Sequence, residues 1–117
     1  MASADTKALI ERALLRFGDQ VPSLKQLKLV IRLELPARGH APTWRVELPG
    51  PKIGKDPAGD AKLDVSVGRS HFNELADDGT LNDWVEAYER GHVKVSGQPA
   101  VVKLIAAVIV RQRARQR

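Results

Sequence analysis

The sequence predicts an α+β domain, a mostly antiparallel sheet with helices covering one face. Segments 28–35, 44–48, 62–68 and 92–96 alternate apolar and polar residues, as half-buried strands do. Segments of helical periodicity precede, separate and follow them, giving the order helix, two or three strands, two helices, strand, helix. Glycines and prolines fall at the joints: Gly18 and Pro22, Pro36 and Gly39, Gly68, Gly79, Gly91, Gly97 and Pro99. A chain of 117 residues suffices for one domain with a real core.

Ala4 to Phe17 reads as an amphipathic helix. Leu9, Ala13 and Phe17 form its apolar stripe with Ile10 and Leu14, while Lys7, Glu11, Arg12 and Arg16 fall mostly opposite. Ser3 or Asp5 is placed to cap its start, Gly18 to stop it and Pro22 to break the chain. In the first strand Leu29, Ile31, Leu33 and Leu35 share a face. In the second, Trp44, Val46 and Leu48 do so, and segment 36–43 suits the hairpin loop between them. Pairing Leu33 with Val46 sets Arg32 opposite Glu47 and Glu34 opposite Arg45. Sliding by two residues opposes like charges, so the first register is expected.

Pro49 to Ala61 holds three glycines and three prolines and reads as loop, with Ile53 marking a short edge strand. Leu63, Val65 and Val67 form the next inward face. Ser70 is placed to cap a helix to about Ala76, and Thr80 or Asn82 to cap another that Gly91 terminates. Val93 and Val95 point inward from the following strand. Pro99 suits the first turn of a last helix, expected from Gln98 to Arg111. At ~100° per residue, Leu104, Val108, Val101, Ile105, Ile109 and Val102 cover an arc of about 160° on that helix. A surface helix needs about 100° or somewhat more, so this one has apolar surface to spare.

Composition excludes several chemistries. The chain has no cysteine, which removes disulfides, thiolate catalysis and Cys-ligated zinc, and fits a cytoplasmic protein. The N-terminus carries no signal-peptide pattern, and the longest apolar run, Leu104 to Val110, is too short to span a bilayer. Arg111, Arg113, Arg115 and Arg117 carry four of the five net positive charges, so residues 111–117 read as a basic tail on a nearly neutral domain of residues 1–110. That tail reads either as a short solubilising end or as a contact for an anionic membrane surface. The body offers no basic aromatic sheet or recognition helix for nucleic acid.

No catalytic constellation, metal site or cofactor motif stands out. His40, His71 and His92 are far apart and read as solvated or capping residues. Segment 50–55 superficially matches a phosphate loop, but Asp56 stands where a Ser or Thr would hold magnesium. Asp77, Asp78, Asp83, Glu86 and Glu89 sit at a turn and on a polar helix face, where acids are ordinary. Trp84 and Tyr88 lie one helical turn apart and form a stripe with Leu81. They either pack as core or wall a ligand cavity, offering apolar bodies with polar tips.

The order from Leu27 to Val110 resembles the lipid-binding domain of the sterol carrier protein type-two family. The most specific piece is Ala87-Tyr88-x-x-Gly91-His92-Val93-Lys94-Val95-Ser96-Gly97 followed directly by an apolar helix. The hairpin, Lys52-Ile53-Gly54, Leu63-Asp64-Val65-Ser66-Val67, the helix with Phe72 and Leu75, and Gly79-Thr80-Leu81 precede it in the matching order. The resemblance implies a five-stranded, mostly antiparallel sheet with helices on one face around a hydrophobic cavity. It implies non-catalytic binding, with transfer, of a fatty acid, acyl-CoA, sterol or isoprenoid. Carried over by position, the cavity wall comprises Leu33, Trp44, Val46, Phe72, Leu75, Leu81, Trp84, Tyr88, Val101, Leu104, Ile105 and Val108. Glu89 and Arg90 replace an apolar residue usual before the family's glycine, which implies a narrower or more polar cavity end. The chain does not end in the Ser-Lys-Leu type of peroxisomal signal. The alternative is an interaction module, a homodimer or heterodimer joined through the apolar last helix over a filled core.

Overall fold

The computed structural model describes residues 2–22, 26–39, 41–48, 51–55 and 59–115, with the side chains of residues 2–5 and of Asp78 outside that description. The elements are α1 (Ala2–Gln20), β1 (Leu29–Glu34), β2 (Thr43–Leu48), β3 (Lys52–Gly54), β4 (Leu63–Val67), α2 (Arg69–Asp78), α3 (Leu81–Glu89), β5 (Val93–Gly97) and α4 (Pro99–Arg115). The strands form one five-stranded sheet in the order β3-β2-β1-β4-β5. Only β1 and β4 run parallel; the other neighbours are antiparallel. The α+β class is as expected, and the three-residue β3 carrying Ile53 is the expected edge strand.

Alternation decides what the sheet buries. Leu33, Trp44, Val46, Ile53, Val67 and Val93 point to one face, where Ile10 and Ala13 of α1, Phe72 and Ala76 of α2, and Ala87 of α3 pack onto them. Each of these large side chains contributes about 1.5–3 kcal/mol by leaving water. The other face carries Arg32, Glu34, Arg45, Glu47, Asp64 and Ser66 and stays partly or wholly exposed.

The β1–β2 register differs from the expected one. Leu33 pairs with Trp44, Ile31 with Val46 and Leu29 with Leu48, so Arg32 stands opposite Arg45. Asp64 and Asp60 from outside the two strands, with Glu47 of β2, remove the like-charge conflict. Arg32 Nε donates to Asp64 on β4 at 2.6 Å. Arg45 donates through Nη2 to Asp60 Oδ2 at 2.9 Å and to Glu47 Oε1 at 3.1 Å, and through Nη1 to Asp60 Oδ1. The hydrogen bonds from Arg45 hold the Asp60 carboxyl below its ordinary value. Opposed like charges cost only about 0.2–1 kcal/mol, too little to govern register once acids surround both guanidinium groups.

The helix ends also depart from expectation. Gly18 does not stop α1, which runs on to Gln20. A mid-helix glycine costs about 1 kcal/mol, and here tertiary anchoring of the last turn offsets it. Gln20 Oε1 accepts from the Leu81 N–H, and Val21 is fully buried just beyond. Ser70 lies inside α2, whose N-cap is Gly68 without a side-chain cap. Of the two caps offered for α3, Thr80 is used. Its Oγ1 accepts from the Asp83 N–H at 3.2 Å, and Asp83 Oδ2 accepts from the Thr80 N–H at 2.9 Å. Gly91, at φ 84°, closes α3 as expected. The Gly91 N–H donates to the Tyr88 carbonyl and the His92 N–H to the Ala87 carbonyl, a Schellman pattern. α4 extends past Arg111 to Arg115, so Arg111, Arg113 and Arg115 lie on the helix.

Candidate functional site

The apolar interior divides into two clusters. The larger lies between the sheet and α1–α3, as described. The smaller joins Val21, Leu81 and Val108, with Phe17, Val85 and Ile109 packed against it. It ties α4 to the end of α1 and the start of α3. Trp84 connects the two clusters, its ring edge-to-face with Phe17 at 6.0 Å and with Phe72 at 6.2 Å. Such aromatic pairs contribute about 0.5–1.5 kcal/mol beyond burial.

The twelve sequence-assigned residues spread across this architecture. Leu33, Trp44, Val46 and Phe72 are buried in the larger cluster, with Leu75 and Trp84 half-buried against it. Leu81 and Val108 form the smaller cluster. Val101 and Ile105 are half-buried on α4. Tyr88 and Leu104 stand at the surface, 53% and 45% exposed. Tyr88 diverges from Trp84 because the inward stripe of α3 runs Leu81, Trp84, Ala87 instead of Leu81, Trp84, Tyr88.

Trp44 is nearly fully buried, and its Nε1 has no hydrogen-bond partner among the described residues. The Lys55 ammonium lies 4.4 Å from the ring centroid, a cation–π contact. An unpaired buried N–H costs about 1–3 kcal/mol. Trp44→Phe removes that donor while leaving a small cavity of comparable cost. We expect its urea midpoint to correspond to a stability within about 1 kcal/mol of the parent. Trp44→Ala should cost about 3–5 kcal/mol by the same measurement.

The sequence reading missed one grouping. His71, on the first turn of α2, and His92, just past the Gly91 turn, stack with ring centroids 4.0 Å apart and planes 21° apart. They border a cleft of about 380 Å³ between α2 and α3, also lined by Glu74, Asp83, Glu86 and Arg90. Arg90 and Glu86 pair at 2.8 Å. Twenty residues separate the histidines, so no helical or strand spacing signals the contact; only the glycine turn after α3 does. His40 lies outside the described residues. Among the described residues no three histidine or acidic side chains form a metal-binding group. Among them also, no helix is long and apolar enough to cross a membrane.

No family model and no curated protein matches the chain. Solved structures do. Palmitated SCP2L2 from Aedes aegypti is 18% identical, with a TM-score of 0.59 over 86% of this chain and 93% of that one. Sterol Carrier Protein 2 from Yarrowia lipolytica, in its apo form, is 22% identical, with a TM-score of 0.53 over 76% of this chain and 85% of that one. The ubiquinone synthesis protein UbiJ-SCP2 is 21% identical, with a TM-score of 0.57 over 95% of each chain. Element order, sheet topology and these likenesses agree: the chain has the sterol carrier protein 2-like fold.

Proposed function

We propose that the protein binds a lipid with a long apolar chain and carries it without a chemical step. The observation that carries this reading is the seam between the two apolar clusters, crossed by Trp84 and roofed by α4. Val108 is the one buried side chain among the described residues of α4. A roof held so lightly can shift, and the faces it would uncover are apolar on both sides. A hydrocarbon entering there gains about 0.8 kcal/mol per buried methylene. The likeness to a palmitated protein supports an acyl chain as the ligand. In this reading Leu33, Val46, Phe72, Leu75, Trp84, Leu81, Val101, Ile105 and Val108 line the path, and Trp44 sits at its floor. Tyr88 and Leu104 would reach the ligand only when α4 moves.

The test is direct titration. Protein stripped of lipid by organic extraction and refolded should bind a fluorescent long-chain fatty acid saturably at one site. Palmitate should displace the probe, and Trp84→Ala should weaken binding at least tenfold. Refolded protein with an intact helical spectrum and no saturable binding would refute the proposal.

A further inference from the structure

α4 is unusual in being apolar nearly all round and free of acidic residues. Its sequence contains Lys103, Arg111, Arg113 and Arg115 and no Asp or Glu. Val108, Val101, Ile105 and Ile109 face the body. On the outward side, Leu104, Ala107, Val110 and Arg111 fall within about 120° of one another at 3.6 residues per turn. Leu104 is 45% exposed and Val110 66% exposed. Lys103, Arg111 and Arg115 are exposed around them. Arg113 Nε donates to Asn82 Oδ1 of α3 at 3.1 Å, an exposed contact between the basic end of the helix and the body.

We propose that the outward face of α4 docks the protein on an anionic lipid bilayer. Charge selects this occupant. A second copy pairing antiparallel about Ala107 would set Lys103 of one chain against Arg111 of the other. Parallel pairing would set arginine against arginine, and α4 offers no acid to answer either arrangement. An anionic leaflet answers all the bases at once while Leu104 and Val110 enter the boundary between headgroups and acyl chains. The arginine stems add apolar reach and leave their charges at the headgroups. Val110, Arg111 and Arg115 take no part in the interior seam, so docking through them stands or falls independently of the proposed cargo.

The experiment is cosedimentation of the full chain with vesicles of phosphatidylcholine and phosphatidylglycerol in equal parts, and with pure phosphatidylcholine vesicles. The expected result is binding to the mixed vesicles alone, abolished near 1 M salt, where the screening length falls to about 3 Å. Arg111→Gln with Arg115→Gln should weaken binding about thirtyfold, since each basic residue near the surface contributes about fivefold. Val110→Ser should also weaken it. The paired arginine variant should keep the parent's affinity for fluorescent fatty acid in solution, which separates docking from cargo binding. Equal binding to both vesicle types, or an unaffected paired variant, would overturn the proposal. So would a lipid-free dimer in sedimentation velocity that Val110→Ser dissolves, because that would assign the face to a second copy.

Discussion

Gly97→Ala is expected to lower stability by about 3 kcal/mol, read as a shift in the denaturant midpoint at constant slope. Two costs coincide at this position. Gly97 holds φ at 133°, a conformation that side-chain-bearing residues rarely adopt. A Cβ there would also lie 2.5 Å from the Lys62 carbonyl oxygen and 3.0 Å from the Leu63 Cα. Both are backbone atoms of the β4–β5 ladder, where Leu63 pairs with Gly97. Neither can rotate away as a side-chain tip would. The same Lys62 carbonyl accepts from the Gln98 N–H at 3.1 Å, so moving it also loosens the entry into α4. Gly91 provides the comparison. Its φ of 84° is also left-handed, but among the described residues nothing lies within 4 Å of its Cβ position. Gly91→Ala should therefore cost only about 1–2 kcal/mol. Equal losses at the two sites would mean that backbone conformation alone accounts for both. A larger loss at Gly97 identifies the close approach of β4 as the second term.

The contrast bears on how much of this fold could be read from the sequence. Glycines at both positions mark ends of elements, and both were legible as such. That one terminates a helix in open space and the other lets two strands touch was not, since the touching partner is thirty-five residues earlier. The hairpin register failed for a related reason. The charges of the two strands alone favour the other register, whereas Asp64 and Asp60 come from elsewhere to satisfy Arg32 and Arg45. Local periodicity did place the core correctly where burial follows strict alternation. Leu33, Trp44, Val46, Leu63 and Val67 are all buried. It was less successful on helices. Tyr88 follows Trp84 by one turn and looked like its companion, yet Ala87 takes the inward position and leaves Tyr88 at the surface. Helix length in α1 and α4 was also underestimated, because Gly18 is overridden by tertiary contacts at Gln20 and Val21. The predicted tail is in part a continuation of the helix. Of the apolar interior, the buried residues of the sheet were legible, but the division into two clusters joined by Trp84 was not. That division depends on where α4 lands. The wide apolar arc of α4 marks its inward side, which includes Val101, Ile105, Val108 and Ile109, but not the elements it meets.

Leu81→Ala should separate the roof from the rest of the fold. Leu81 is fully buried at the first turn of α3, beside Val21 and Val108. Truncation removes the wall against which the one buried side chain of α4 packs. Leucine-to-alanine changes at such sites cost about 2–5 kcal/mol, depending on how far the site collapses. Collapse is limited here because the Leu81 N–H is held by Gln20 and Thr80 is fixed by its capping box. We expect a loss of about 3 kcal/mol, with the greater consequence confined to α4. Its amides should exchange with solvent far faster in the variant, while those of β1 and β4 should follow global unfolding. Ile10→Ala removes comparable apolar area from the larger cluster, away from the proposed path, and should lower global stability without selectively opening α4. If α4 gates the proposed cargo path, fatty-acid release should accelerate in Leu81→Ala and remain near the parent rate in Ile10→Ala at equal occupancy. Hydrogen exchange resolved by element and stopped-flow release of a fluorescent fatty acid measure the two effects on the same samples. Selective opening of α4 without faster release would leave the fold account standing and remove the helix from the exchange mechanism, because the roof would then move without exposing the seam.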